Sequence, residues 1–258
     1  MEPNITIVLP TLNEEGNVGK VILSIFDLFR NEDFRVIIVD DNSVDKTREI
    51  VEEFTKNDAR IQCIWRNPSD GLAGAIRDGV MLSKSSHVAW LDCDGSMPIS
   101  DLYRMWALSK NKPGYAIIGS RFVSGGMVKG QATKNTGIIE IYRNLKISED
   151  SFLAVFLSRI MNRMLRIILP TGVLDMTSGF IIVERKLLKY NDFRGFYGEY
   201  FPILVKILSE RNVLFYEKAY INLPRVNGQS KTGSTLSALL RRGLPYLTIS
   251  LKHRIMKN

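Results

Sequence analysis

The sequence predicts an α/β protein in which a mostly parallel sheet is flanked by helices. Short β-rich apolar runs alternate with longer segments of helical periodicity along the first half of the chain. The 258 residues are 45% hydrophobic and 24% charged, which excludes a disordered or fibrous chain and leaves enough residues for one or two domains with a sizeable core. Because parallel neighbours need right-handed crossovers, the repeated strand-helix-strand order predicts a parallel sheet.

The elements follow in order along the chain. Strands are predicted near Thr6–Leu9, Val36–Val39, Gln62–Trp65, Val88–Leu91 and Ala116–Ile118. Helices are predicted between them over Val18–Phe29, Lys46–Phe54 and Leu72–Leu82. A later helix is expected over Ser151–Leu169, where Pro170 stops it. Two short basic amphipathic helices are expected within Leu236–Met256, broken at Gly243-Leu244-Pro245.

Cysteine and histidine usage excludes two further classes. Cys63 and Cys93 give no disulfide framework, and with only two histidines, His87 and His253, no Cys/His zinc site can be assembled. Reduced, cytosolic conditions fit this usage. The apolar start, Ile5–Leu9, is too short for the core of a signal peptide, and no uninterrupted run of ~18 apolar residues exists to span a bilayer.

The positive charge is concentrated at the C-terminal end. The 35 Lys and Arg residues exceed the 27 Asp and Glu residues by eight, and eight basic residues but no acidic residue follow Glu217. Residues 1–217 are therefore neutral overall. A cationic end on a neutral body indicates an anionic partner, such as phosphates, anionic lipid or nucleic acid, with a merely solvated tail as the alternative.

Polar, acidic loops follow three of the predicted strands. They are Pro10–Glu14, Asp40–Ser43 and Asp92–Asp94, and ligands of open parallel sheets bind at this edge. No Gly-x-Gly-x-x-Gly motif and no P-loop occur, so phosphates are held in another way. Asp92 and Asp94 can share a divalent cation that neutralises a diphosphate. Each loop alone is also a plausible turn or helix cap, but their order after successive strands favours metal-assisted nucleotide chemistry.

Ordered motifs along most of the chain carry a family resemblance. The early ones are Pro10–Glu14, Val39–Thr47, Gly71-Leu72 with Ala75 and Gly79, and Leu91–Pro98. The later ones are Gly119–Phe122, Ser158-Arg159 with Asn162, Asp175–Phe180, and Arg225 with Gly228–Lys231. The early set resembles glycosyltransferase family 2, inverting enzymes with a GT-A type, Rossmann-like fold. The later set is similar to its polyprenyl-phosphate sugar synthases, the dolichol-phosphate mannose synthase subgroup.

The resemblance implies a domain arrangement and a set of site residues. It implies a catalytic domain over 1–232, with a nucleotide-sugar-binding half (1–120) and an acceptor half (121–232), and a basic amphipathic tail over 233–258. The implied donor-site residues are Pro10, Asn13, Glu14, Asp41, Asp92 and Lys231. The implied Mg²⁺ or Mn²⁺ ligands are Asp92, Asp94 and Ser96, and the implied acceptor-phosphate residues are Arg121, Ser158 and Arg159. Asp94, Arg121 and Asp175 are the implied catalytic residues.

The expected chemistry fits these residue types. A sugar leaving a nucleoside diphosphate builds negative charge on the departing phosphate, which a divalent metal and basic side chains stabilise, and attack from the opposite face inverts the anomeric centre. A polyprenyl phosphate, with its second ionisation near pH ~6, attacks without a general base. A hydroxyl acceptor needs one. Asp175 is the best-placed candidate, with a structural carboxylate capping the turn at residues 177–179 as an equal alternative.

Two segments suggest an anionic membrane surface as a partner. In the predicted helix over Ser151–Leu169, Arg159, Arg163 and Arg166 share one face, which fits either a membrane surface or a helix packed on the sheet. Residues 131–150 are expected to form an acceptor loop. The basic C-terminal stretch fits peripheral attachment, and its alternatives are packing on the catalytic domain, a homo-oligomer or a membrane-protein partner. No nucleic-acid motif accompanies the charge.

The leading hypothesis is an inverting, metal-dependent glycosyltransferase at the cytoplasmic membrane face. It moves mannose or glucose from GDP-mannose or a UDP-sugar to a polyprenyl phosphate. The alternatives are a glycosyltransferase with a saccharide or other hydroxyl acceptor, a non-catalytic subunit that binds nucleotide sugar or lipid phosphate, and a nucleotidyltransferase.

Overall fold

Seven strands form one sheet in the computed structural model, which describes residues 3–66, 70–128, 152–223 and 236–255. The strands are β1 (Ile5–Thr11), β2 (Phe34–Asp40), β3 (Ile61–Trp65), β4 (His87–Trp90), β5 (Tyr115–Ser120), β6 (Ile181–Glu184) and β7 (Leu214–Ala219). Their spatial order is β3-β2-β1-β4-β6-β5-β7, and only the pairs that involve β6 are antiparallel. The predicted mostly parallel sheet is confirmed.

Helices cover both faces of the sheet. They are α1 (Val18–Leu28), α2 (Thr47–Asn57), α3 (Gly71–Leu82), α4 (Ile99–Lys110), α5 (Phe152–Ile168), α6 (Tyr200–Glu210) and α7 (Leu236–Ile255). α1, α2 and α4 pack on one face, and α3, α5 and α6 pack on the other. α7 lies against α5 and α6. The described residues therefore form three layers.

The central strands are buried on both sides, which is why they read as nearly continuous apolar runs. In β1, Ile5, Ile7 and Leu9 face the layer of α1, whereas Val8 faces the layer of α3. Gly79 of α3 packs directly on Val8, so that any larger side chain at this position would collide with the sheet. This close approach is the structural reason for the glycine in the motif.

Four elements, namely β6, β7, α4 and α6, were not predicted from the sequence. β6 is a four-residue buried run, and periodicity does not separate such a run from a segment of buried helix. α6 is buried over most of its circumference, so it lacks the polar face that marks an amphipathic helix. Its position is fixed instead by long-range contact, since the Trp90 indole N–H donates to the Tyr200 hydroxyl at 2.8 Å.

The prediction of two short C-terminal helices is wrong, because α7 runs unbroken through Pro245. Proline removes one backbone donor and clashes with the preceding turn, which would end an isolated helix. Here Tyr246 and Ile249 pack on the core beneath α5 and α6. Arg254 also donates to the carbonyls of Ile167 and Ile168 at 3.3 and 3.4 Å, which caps the end of α5. Tertiary packing thus overrides the break.

The predicted helix over Ser151–Leu169 is confirmed as α5, which ends before Pro170. None of the helices in the described ranges is long and apolar enough to cross a bilayer.

Candidate active site

The loops after β1 and β2 are bonded to each other at the carboxyl edge of the sheet. Asn13 adopts a left-handed backbone conformation with φ of 54°, which asparagine tolerates better than most residues. Its Oδ1 accepts a hydrogen bond from the Val44 N–H at 2.9 Å, and its own N–H donates to Ser43 Oγ at 2.8 Å. Ser43 in turn donates its N–H and hydroxyl to the Asp40 carboxylate at 2.8 and 2.6 Å. The two loops form one wall.

Pro10 and Glu14 belong to the same wall. Pro10 pairs with Val39 of β2 but lies beyond Val8, the last residue of β1 that pairs with β4. No partner strand on the β4 side therefore needs the backbone N–H that proline lacks. Glu14 is buried, its N–H donates to Thr47 Oγ1 at 2.7 Å, and its carboxylate accepts from the Asn17 side chain at 2.8 Å. The structure therefore brings Pro10, Asn13 and Glu14 together.

Asp41 lies in a charged cluster at the end of β2. Its carboxylate is 3.2 Å from Nε of Arg66, and the side chain of Arg66, only 7% exposed, also pairs with Asp70 and Asp78. Burial raises the pKa of the Asp41 carboxyl, against the lowering effect of Arg66. Sequence reasoning missed Arg66, although its position directly after β3 is the same signal that identified the other loops.

The loop after β4 presents oxygen ligands. Asp94 is 3% exposed, and its Oδ1 accepts from the Ser96 N–H at 2.9 Å across Gly95, which has φ of 77°. Asp92 is half-buried and Ser96 is buried. The described residues contain no cluster of three or more Asp, Glu, His or Cys suited to a metal ion. Two carboxylates fit Mg²⁺ or Mn²⁺ that is shared with substrate phosphates, which complete the coordination in such sites.

Arg121 and Asp175 form a forked ion pair at the end of β5. Nε and Nη2 of Arg121 donate to the two carboxylate oxygens at 2.8 and 2.7 Å, and the Arg121 backbone N–H adds a third bond at 3.0 Å. Asp175 is completely buried, while 14% of the Arg121 side chain is exposed. Burial disfavours the charged guanidinium, but the charge and hydrogen bonds of Asp175, together with the nearby phenols of Tyr220 and Tyr246, outweigh burial and raise the pKa of Arg121.

Ser158 and Arg159 lie on α5, one turn before Asn162. Ser158 is half-buried on the same face as Asn162, which contacts the segment containing Asp175, whereas Arg159 is exposed. Ser158 therefore lies on the side of α5 that carries Asn162, and Arg159 lies at the surface.

Some predicted residues lie outside the described ranges. They are Lys231, Arg225 and the expected acceptor loop at 131–150. The described chain before this C-terminal gap ends at Leu223, whose N–H donates to the Ser96 carbonyl at 3.0 Å.

Three phenols in this part of the protein have raised pKa values: Tyr200 and Tyr220 are buried, and Tyr246 is partly buried. Burial raises the pKa of Tyr200, Tyr220 and Tyr246, and in each case the charge of Asp92 adds to the rise. Arg121 acts in the opposite direction on Tyr220 and Tyr246. Both phenols therefore lie within electrostatic reach of Asp92 and Arg121. Tyr246 belongs to α7 and packs against the core, which agrees with packing on the catalytic domain, one of the alternatives for the C-terminal stretch.

The seven-stranded, mostly parallel sheet and its flanking helices define an α/β protein of the GT-A type. The family model for glycosyl transferase family 2 matches residues 6–191, and the chain belongs to this family. The predicted class, a family 2 glycosyltransferase with the GT-A fold, is confirmed.

Two relatives have names that refer to a polyprenyl lipid. A dolichol-phosphate mannosyltransferase from Pyrococcus furiosus is 26% identical over 243 residues, which are 92% of this chain and 62% of the relative. A GalNAc(5)-diNAcBac-PP-undecaprenol β-1,3-glucosyltransferase from Campylobacter jejuni is 28% identical over 58% of this chain and 48% of its own length. This chain therefore spans less than two thirds of each.

Solved structures support the same fold. Glucosyl-3-phosphoglycerate synthase from Mycobacterium tuberculosis, solved with Mn²⁺, UDP and its product, has a TM-score of 0.61 at 17% identity, covering 98% of this chain and 80% of that one. Mannosyl-3-phosphoglycerate synthase from Rubrobacter xylanophilus has a TM-score of 0.63 at 13% identity, with coverages of 99% and 74%.

Proposed function

We propose that this protein is an inverting, metal-dependent glycosyltransferase that moves a sugar from a nucleoside diphosphate to a polyprenyl phosphate at the cytoplasmic membrane face. The observation that carries the proposal is the arrangement of the carboxyl edge. Both β4 and β5 are antiparallel to β6, so the loop with Asp92 and Asp94 and the ion pair of Arg121 with Asp175 lie at the same edge of the sheet. A metal held by two carboxylates, together with a guanidinium, suits a reaction between two phosphate-bearing substrates.

The donor nucleotide binds the wall built by the loops after β1 and β2. Pro10, Asn13 and Glu14 line the base and ribose pocket, and Asp41 contacts the base or ribose from the other side. The support for this assignment is geometric, because hydrogen bonds to residues 43, 44 and 47 hold Asn13 and Glu14 in place before any ligand arrives. A preorganised pocket loses little free energy on ordering when it binds.

The diphosphate lies beside Asp92 and Asp94. A bound Mg²⁺ or Mn²⁺ held by these carboxylates, with Ser96 in its shell, would neutralise charge on the departing phosphate. The Asp94 side chain is oriented by the Ser96 N–H, so this carboxylate is held in place without substrate. Lys231 is proposed to assist at a phosphate.

The acceptor phosphate binds at Arg121, with Ser158 and Arg159 supplied by α5. Among the described residues, the bonds of Arg121 use Nε, Nη2 and the backbone N–H. Nη1 therefore remains for an incoming phosphate oxygen. A guanidinium suits this task because it stays charged and donates in a fixed plane.

Asp175 orients Arg121 rather than removing a proton. Both of its oxygens accept hydrogen bonds from Arg121, and its side chain is completely buried. A general base must reach the proton that it removes. This engagement favours an acceptor that needs no base, and a phosphate dianion is such an acceptor.

The membrane side is formed by α5 and α7. On α5, the exposed apolar side chains of Phe156, Ile160, Met164 and Ile167 alternate with exposed arginines 159, 163 and 166. On α7, Leu244, Leu251 and Ile255 are exposed beside Arg241, Lys252 and Arg254. Apolar side chains among cations, with no acidic residue on either helix, suit an anionic lipid surface. Such a surface also presents a polyprenyl phosphate at the correct depth.

The decisive experiment is a transfer assay with the purified full chain. Radiolabelled GDP-mannose or UDP-glucose is incubated with undecaprenyl phosphate in detergent and Mg²⁺ or Mn²⁺. We expect label in the organic phase and release of a nucleoside diphosphate. Transfer to a soluble saccharide or phosphoglycerate, with none to lipid, would select the hydroxyl-acceptor alternative. Release of pyrophosphate would identify a nucleotidyltransferase.

The donor is identified separately by thermal stabilisation. The protein is melted with GDP, UDP, dTDP or CDP, each with and without the metal. Ligand at 100 times its dissociation constant adds about 2.7 kcal/mol, a shift of several degrees. One nucleotide that stabilises only with metal identifies the base. Stabilisation without any transfer would favour a non-catalytic binding subunit.

A further inference from the structure

The segment that carries Asp175 is held by side chains from distant parts of the chain. Residues 174–177 belong to neither a helix nor a strand, so their backbone groups lack the usual partners. Three consecutive N–H groups, those of Leu174, Asp175 and Met176, donate instead to side chains of Glu217 and Asn162. We call residues 174–177 the arginine-holding turn.

Asn162 of α5 bonds the arginine-holding turn with both ends of its carboxamide. Oδ1 accepts from the Met176 N–H at 2.7 Å, and Nδ2 donates to the Leu174 carbonyl. The residue is 4% exposed, although the neighbouring positions 159, 160 and 163 on this helix are exposed. A carboxamide is the side chain that offers one donor and one acceptor in this geometry.

Glu217 of β7 holds the other side of the turn. Its two oxygens accept from the N–H groups of Leu174 and Asp175 at 2.7 and 3.0 Å. The sheet thus anchors the turn through Glu217, and α5 anchors it through Asn162.

The turn determines where Arg121 points. Asp175 accepts two side-chain bonds and one backbone bond from Arg121, and Thr177 Oγ1 accepts a further bond from Nη2 at 2.9 Å. A displacement of the turn therefore moves the carboxylate that aims the guanidinium. The turn, and with it Arg121, is fixed from one side by a helix whose outer face is apolar and cationic.

We propose that Asn162 is a positioning residue, through which helix α5 holds the arginine-holding turn and so aims Arg121 at the acceptor phosphate. This inference rests on the proposed function. It assigns to α5 a second task besides supplying Ser158 and Arg159, since the same helix that faces the lipid sets the geometry of the arginine. Asn162 touches no substrate in this role and acts only through Arg121.

The functional test is a double-mutant cycle between Asn162→Ala and Arg121→Lys. Lysine keeps the positive charge beside buried Asp175 but cannot make the fork, so this variant is suited to remain folded. Asn162→Ala is expected to lower kcat/KM for undecaprenyl phosphate by about tenfold or more, with nucleotide stabilisation unchanged. In the Arg121→Lys background, Asn162→Ala is expected to cause essentially no further loss of kcat/KM, because the effects of substitutions at coupled residues are not additive.

Asn111→Ala is the matched control. Asn111 also bonds through its side chain to a backbone carbonyl, that of Ala107, but lies at the exposed end of α4. We expect wild-type kinetics from it. Unchanged kcat/KM in Asn162→Ala, or a full tenfold loss in the Arg121→Lys background as well, would overturn the inference.

A second measurement does not depend on transfer. The Arg121 Nε–H, buried in its bond to Asp175, is expected to give a resolved, slowly exchanging NMR signal that disappears in Arg121→Lys. Asn162→Ala is expected to accelerate its exchange by about tenfold or more, and Asn111→Ala to leave it unchanged. If wild-type protein transfers no sugar to lipid phosphate, the proposed function fails, yet this signal still decides the role of Asn162. Unaltered exchange in Asn162→Ala would refute it.

Discussion

The loops after β1 and β2 (residues 10–14 and 40–44), which we call the donor wall after their proposed ligand, lie along the same edge of the sheet as the arginine-holding turn. The two regions are held by different means. In the donor wall, Asn13 and Ser43 bond to each other's loops, and both loops follow directly from the paired strands β1 and β2. In the arginine-holding turn, the bonds come from Asn162 on a helix and Glu217 on a distant strand. The donor wall is therefore held by neighbouring loops and by Thr47 at the start of α2, whereas the arginine-holding turn is held by α5 and β7.

Because the two regions are held by different means, changes in one region are expected to have different effects from changes in the other. A change on the donor side should alter nucleotide affinity or turnover without disturbing the acceptor side. A change in the arginine-holding turn should disturb stability and acceptor use together, because a buried ion pair is part of the support. Four substitutions test this comparison.

The largest effect is expected from Asp94→Asn. A divalent metal held by Asp94, as proposed, would contribute several kcal/mol to stabilising the leaving phosphate, so kcat should fall by about a thousandfold or more. The melting temperature without ligands should stay near that of wild type, because the substituted carboxamide retains an oxygen for the Ser96 N–H. Asp27→Asn, an equal charge change at a side chain that is 75% exposed, serves as the control with normal kcat. Normal turnover in Asp94→Asn would contradict the metal site.

Asp175→Asn is expected to act on stability. It leaves the guanidinium of Arg121 without its buried counter-charge, and breaking such a pair costs about 3 kcal/mol. Urea denaturation at pH 7 should show this loss in the free energy of unfolding, and acceptor KM should rise in parallel. A stable variant that lost turnover only for hydroxyl acceptors would instead identify Asp175 as a base.

The sequence was most informative where local motifs follow strands. The three acidic loops and their placement at one edge needed only the alternation of strands and helices, and the structure has them at that edge. Arg66 was missed although it follows β3 in the same manner, because a single basic residue after a strand carries little signal on its own.

The acceptor side was less predictable because its geometry depends on long-range contacts. Glu217 accepts hydrogen bonds from the N–H groups of Leu174 and Asp175, which precede it by 43 and 42 positions in the chain. No local sequence signal at Glu217 predicts this pairing. The sequence left Asp175 open between a base and a structural carboxylate, and only the geometry of Arg121 favours the second. Likewise, the break expected at Pro245 is absent because α7 packs against α5 and α6.

Asn13→Ala is expected to weaken the donor wall by a moderate amount. Alanine loses the bond to the Val44 N–H and is strained at φ of 54°, which together cost about 2 kcal/mol. Asn13→Gly separates these contributions, because glycine relieves the strain but not the lost bond. Thermal melts should rank wild type above Gly above Ala, and nucleotide stabilisation should decrease in both variants. The protection of the Arg121 Nε–H should stay unchanged, since the two regions are held independently.

The smallest effect is expected from Asp41→Asn, and its sign depends on pH. Burial raises the pKa of Asp41 above the ordinary value of 3.8, so between these two pKa values the native state binds more protons than the unfolded chain. Stability of the wild type therefore falls as pH rises through this window, and the deficit persists above it. The substituted carboxamide has no charge to bury, while Arg66 keeps Asp70 and Asp78 as partners.

Asp41→Asn should therefore be slightly more stable than wild type at pH 7, and the difference should vanish as pH falls below 3.8. Urea denaturation across this pH range measures the difference directly. The same variant should lose nucleotide stabilisation, because the carboxylate that destabilises the free protein is the one that we propose to contact the base or ribose. A gain in stability with unchanged nucleotide binding would remove Asp41 from the donor site, whereas a loss of stability at pH 7 would mean that its pairing with Arg66 outweighs its burial.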